Sequence, residues 1–228
     1  MNWVKHNIRP LLASAAVLFV VLIGLDKVAQ WMREQIHEDI PELAGPWQDP
    51  DAIRYIIVHH SVSDWGNGAA VVEWHTGPPP HKGWDRPGYH AVIGNGYATD
   101  KAWKKRAYDI AADGKVDFIV SEDLRVNGVR FGNRNSMQVS LIGNFDVKDP
   151  TEKQMAALID LLSRWCIKYA LDPRKAIYGH GEMQRKIGRE GYSKTCPGTH
   201  VDMDALRQAV YDKMVEQVVP EWKRRVSH

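Results

Sequence analysis

The sequence predicts an α/β fold, a central mixed β-sheet flanked by helices, and three observations predict it. Short apolar runs rich in β-branched residues recur at 53–58 (IRYIIV), 89–94 and 139–145, as buried strands do. A long segment, 151–169, has helical periodicity, with Met155, Leu158, Ile159, Leu162, Trp165 and Cys166 on one stripe. Strands and helices alternate along the chain without any internal repeat or low-complexity stretch.

Taken in chain order, the first element is an N-terminal transmembrane or signal-anchor helix. Residues 1–10 form a basic flank carrying Lys5 and Arg9, and 11–25 (LLASAAVLFVVLIGL) hold no charge. Fifteen residues is short beside the roughly twenty a membrane span needs. No small-x-small cleavage site follows, however, and Trp3 and Trp31 bracket ~42 Å of helix, close to a full bilayer. The expectation is an anchor helix over 11–32, retained at the inner membrane, with the basic flank in the cytoplasm and the remainder in the periplasm. A stalk and a proline- and glycine-containing linker follow over 33–50.

The folded domain is expected over 51–219. Its first strand is 53–58. A short helix follows at 69–75, and four prolines within 77–88 (Pro78, Pro79, Pro80, Pro87) make that stretch a loop. Strands are expected at 89–94, 139–145 and 175–178. Thr151 caps the long helix, with Gln154 as its capping-box partner. A last helix runs over 202–218 on the stripe Leu206, Val210, Met214, Val218, and 220–228 form a basic tail.

Composition bounds the function. The chain has 228 residues, 44% hydrophobic and 25% charged, enough for one packed domain and an extension. A net charge of +2 gives no strong field for nucleic acid. The two cysteines differ in setting. Cys166 lies among core-spaced residues and reads as a buried thiol, whereas Cys196 sits in a loop beside Pro197 and Gly198. A single disulfide between them is therefore disfavoured.

Three polar groups stand where apolar strands end: His59-His60-Ser61 after the first strand, His180 after 175–178, and Cys196 within KTCPG. Two imidazoles and a thiolate suit zinc, and three protein ligands leave a fourth position for water, as in catalytic sites. The paired close spacings of a closed structural site are absent. The separations from 59 to 180 to 196 match no short metal motif, so residues alone leave a zinc hydrolase as one reading among several.

Five motifs in order narrow it: IIVHHS, GWDRPGYHAVIGNG, NSMQVSLIGNFD, IYGHGEM and KTCPGTHVDM. Over about 53–203 the sequence resembles the zinc-dependent N-acetylmuramoyl-L-alanine amidases, which include phage amidase endolysins and animal peptidoglycan recognition proteins. The resemblance implies Zn2+ held by His59, His180 and Cys196, with Tyr89 and Lys194 as catalytic residues. It implies a peptidoglycan hydrolase that cuts the amide between N-acetylmuramic acid and L-alanine, in cell-wall lysis or remodelling. Departures from the pattern are His60 beside the first ligand, Glu182 where an aspartate is common, and a long basic stretch over 184–193, read as a surface loop in preference to an element that shapes substrate choice. Three alternatives stay open: a non-catalytic peptidoglycan-binding module, an amidase acting on anhydromuropeptides, and a structural or interaction protein anchored in the inner membrane. Phage or bacterial origin, stem-peptide specificity and oligomeric state are not legible.

Overall fold

The computed structural model describes residues 48–130, 132–189 and 192–226, with side chains to 217, all within one unit, Ala44–His228. The expected anchor helix over 11–32 and most of the linker lie outside these residues. Among the described residues no helix is long and apolar enough to cross a membrane.

Five strands form one sheet: β1 (Tyr55–His60), β2 (Ala91–Asn95), β3 (Asp113–Phe118), β4 (Ser136–Leu141) and β5 (Ile177–Gly179). Their order is β3-β2-β4-β1-β5. β1 pairs in parallel with β4 and β5, β2 pairs in parallel with β4, and β3 runs antiparallel to β2, so the sheet is mixed as expected.

The helices are α1 (Gly68–Thr76), α2 (Asp100–Lys104), α3 (Glu152–Lys168), α4 (Pro173–Ala176), α5 (His180–Lys186) and α6 (Met203–Val226). Thr151 caps α3 as a full capping box with Gln154. Gln154 continues inward, its Nε2 donating to the carbonyls of Ile93 and Ile142 at 3.3 and 2.9 Å.

Side-chain alternation gives the sheet two unlike faces. Ile56, Val58, Ala91, Ile93, Met137, Val139 and Leu141 point to one side, where Leu158, Leu162 and Trp165 of α3 and Leu206 and Val210 of α6 cover them. The opposite face holds two smaller apolar clusters. One joins Ile57 to Met183 of α5, and the other joins Val92 to Val71 and Trp74 of α1. Glu122 ties the loop after β3 to α3, accepting from Trp165 Nε1, Lys168 Nζ and Tyr169 Oη at 2.7, 2.7 and 2.9 Å.

Several boundaries differ from expectation. β1 begins at Tyr55, because Ile53 closes the 3-10 turn Pro50–Ala52, and it runs through His59 and His60, which pair with Ser140 and Leu141. β2 starts at Ala91, so Tyr89 precedes the strand, and β4 covers Ser136–Leu141 rather than 139–145. The edge strand β3 and the short α2 were not anticipated. α6 runs to Val226, beyond the helix expected over 202–218.

Candidate metal centre

The site is built on the second face. On β1, β4 and the start of β2 this face reads Ile57, His59, Gln138, Ser140 and Val92, polar groups set among apolar ones. His59 is the second-to-last residue of β1 and is buried. His180 is the first residue of α5, directly after β5. Cys196 approaches on the loop before α6. One donor atom from each of the three lies within 4.8 Å of the others. Cys196 Sγ is 3.9 Å from His59 Nδ1, and the His59 and His180 rings are 4.7 Å apart. With metal–nitrogen bonds near 2.0 Å and metal–sulfur bonds near 2.3 Å, tetrahedral ligands sit about 3.5 Å apart, so the donor set fits zinc.

Protonation agrees with that fit. Burial, then the neighbouring His180, hold the His59 imidazole well below its ordinary range. Burial, then the Lys194 charge, bring His180 to about 4. Both rings are therefore neutral near pH 7, as metal ligands must be. The Cys196 thiol is pushed up to about 12 by burial, so it needs a cation beside it to ionise. His59 Nε2 donates to Gln138 Oε1 at 3.0 Å, and Gln138 Nε2 donates in turn to Asn133 Oδ1 and Ser136 Oγ. That chain fixes the tautomer that leaves Nδ1 free to coordinate.

The choice between the paired histidines follows from strand alternation. His60 points to the other face, and its Nδ1 accepts from the Phe145 backbone N–H at 3.2 Å. Tyr89 is half-buried, its ring 4.7 Å from that of His59. Burial, then the Cys196 sulfur, push its phenol up, while the Ser140 hydroxyl partly offsets this. Lys194 is exposed, yet its charge reaches both His180 and Cys196. Glu182 accepts from the Gly179 N–H at 2.8 Å and pairs with Arg207 of α6, so it braces the start of α5.

Four neighbours were missed from sequence. Gln138 had a signal: Ser136, Gln138 and Ser140 place polar groups at every second position of an otherwise apolar strand, all on the β1 face that carries His59. His75 of α1 accepts from the Gly88 N–H and packs 5.2 Å from Tyr89. Lys82 stands over Trp84 at 4.4 Å, and its charge acts on His75 and His180. Tyr192, from the stretch read as a surface loop, reaches the site: it stacks on His180 at 5.7 Å, its hydroxyl 3.4 Å from Nε2.

Fold and site together define a mixed-sheet protein with a His–His–Cys donor set, its first histidine buried and the other two donors half-buried, gathered at one end of the sheet. The chain belongs to the N-acetylmuramoyl-L-alanine amidase family, whose pattern matches residues 49–199. Solved structures agree on the fold. The amidase LysC from Clostridium intestinale is 19% identical with a TM-score of 0.53, covering 76% of this chain and 98% of its own. The endolysin amidase LysCS from the same organism is 20% identical, TM-score 0.53, covering 76% and 93%. Bumblebee peptidoglycan recognition protein SA is 20% identical, TM-score 0.50, covering 72% and 86%. No curated protein sequence matches the chain at a significant level.

Proposed function

We propose that this protein is a zinc-dependent peptidoglycan hydrolase that cuts the amide between N-acetylmuramic acid and L-alanine. The observation that carries this reading is the convergence of His59, His180 and Cys196 donors within 4.8 Å, drawn from three separate segments. Zinc, when bound, would supply a Lewis acid for the scissile carbonyl and an activated water. The residues around it divide the remaining tasks. Gln138 orients His59. Tyr89, kept protonated by burial, serves as a hydrogen-bond donor and proton source toward the leaving amine of L-alanine. Lys194 supplies a positive charge for the carbonyl oxygen as it gains charge, an effect typically worth about 3 kcal/mol.

The presence of Cys196, Tyr89 and Lys194 in one cluster favours catalysis over a binding-only module. Mass analysis of fragments from purified peptidoglycan tests this. New L-alanine amino groups with intact glycan strands support the reading, and new reducing ends refute it. Residues 11–25 carry the proposed placement: a single-pass anchor in the inner membrane with the catalytic domain in the periplasm, for host lysis or wall remodelling. N-terminal sequencing of membrane and soluble fractions tests it, since a mature chain starting after residue 25 would overturn the anchor.

A further inference from the structure

The loops at one end of the sheet carry a pattern the hydrolase chemistry does not use. They follow β1, β2 and β4 and span 61–67, 96–112 and 142–150. Cross-contacts lock them together. Lys148 pairs with Asp64 at 2.6 Å and lies 4.9 Å over the Trp103 ring, the Gly66 N–H donates to Tyr97 O, and Tyr97 packs on Trp103 and Tyr108 at 5.0 and 5.6 Å.

Four large apolar side chains project from these tips: Val147 is 73% exposed, Ile110 66%, Val62 60% and Tyr108 47%. Among the described residues two other large apolar side chains are exposed, Phe118 at 54% and Val215 at 39%. Val62 keeps its position at a φ of 60°, a left-handed conformation that costs a β-branched residue energy. Between the tips runs KAWKKRAY, residues 101–108. Lys104 pairs with Asp100 at 2.6 Å, and Asp109 accepts the Ala111 N–H at 2.9 Å while keeping its charge, so residues 100–109 hold four cations against two carboxylates. Lys101 and Lys105 have no acidic partner among the described residues, and Arg106 stacks on Trp103 at 4.5 Å without one.

We infer that this loop surface docks on an anionic phospholipid bilayer. Unpaired lysines and an arginine match lipid phosphate, and each cation near such a surface contributes about 1 kcal/mol. Tryptophan and tyrosine favour the headgroup level. The aliphatic tips select the bilayer over a soluble polyanion. Isolated valine and isoleucine side chains between cations find a partner at the boundary of headgroup and acyl chain, and a hydrated sugar polymer has no comparable continuous apolar layer. The inference is independent of the proposed cleavage chemistry.

Hydrogen–deuterium exchange on the full chain tests it, comparing phosphatidylcholine vesicles with vesicles that also contain phosphatidylglycerol. The comparison subtracts whatever residues 11–25 contribute on both. Amides over 97–112 should exchange more slowly on the anionic vesicles. Lys101→Gln and Lys105→Gln should each lower the docked-to-undocked ratio about fivefold, and Ile110→Asp should remove most of the difference. Thermal melts monitor folding, and all three variants should digest soluble peptidoglycan fragments at the parent rate. Equal exchange on the two vesicle types overturns the inference. So does protection by a soluble anionic glycan equal to that by vesicles and indifferent to Ile110→Asp.

Discussion

The two faces of the sheet are made by the same strands and meet opposite demands. Under α3 and α6, Ile56, Val58, Ala91, Ile93, Met137, Val139 and Leu141 present an apolar, buried surface, with the polar His60 only at the end of β1. One residue along each strand, the other face holds His59 and Gln138, buried as fully but hydrogen-bonded to each other, beside the buried Ser140. The first face stabilises and the second assembles chemistry. His59 and His60 show how sharp the division is, because neighbouring positions on one strand send one imidazole to the donor cluster and the other to a backbone amide. A slip of one residue in the β1 register would exchange them.

The largest effect should come from the second face. Cys196→Ser or His59→Ala should abolish bound zinc and take amide cleavage to background, with the melting curve little changed for the serine variant. Metal analysis together with peptidoglycan digestion checks this, and full zinc in Cys196→Ser would remove the thiolate from the site. On the first face the pattern should invert. Leu162→Ala, in the packed core under the sheet, should cost about 2–5 kcal/mol in denaturant unfolding. Turnover per folded molecule should be unchanged, and a specific loss of turnover would mean the faces are coupled more tightly than the packing implies.

The third prediction concerns pH. His90 is fully buried, donating Nε2–H to Leu124 O and accepting the Gln138 N–H on Nδ1, so a second ring proton has nowhere to go. Burial lowers it to about 4 from an ordinary 6.5. Between these values the unfolded chain binds a proton that the folded chain refuses, so stability is present above about 6.5 and is lost as pH falls toward 4. This one group accounts for about 3 kcal/mol. Urea titrations at neutral pH and near pH 4.5 should show the loss, and His90→Gln should flatten it. An unchanged slope in that variant would shift the cause to the site histidines. The smallest effect is Gln138→Ala, which frees the His59 ring. It should weaken zinc affinity about 10- to 100-fold, read by competition with a chelator.

Much of this was visible in the sequence. α3 was legible from Thr151 to Trp165 because capping and periodicity agree there. The three donors were legible through their motifs. The end of β1 was not, because two histidines signal a loop by polarity, while pairing with Ser140 and Leu141 carries them on as strand. β3 was hidden because DGKVDF has little β-branched content and lies at an edge, where burial imposes little pattern. The role of Tyr192 depends on a loop folding back twelve residues onto His180, which no local pattern encodes.

The loop carrying Cys196 is held from outside its own neighbourhood. Asp146 accepts from Thr195 Oγ1 and the Thr199 N–H at 2.7 and 2.9 Å, bracketing the cysteine, and Gly198 lies against the Phe145 backbone where a Cβ would come within 2.4 Å. The last donor therefore arrives 137 residues after the first, and only once the turn after β4 is in place to receive it. On the proposed metal reading, a chain still being made has two loose imidazoles and lacks the third donor until residue 196 has been added. Tight zinc uptake then marks a finished fold rather than starting one. In refolding, metal capture should trail the packing of 145–199, and a chain stopped short of residue 196 should stay inert however well its sheet forms.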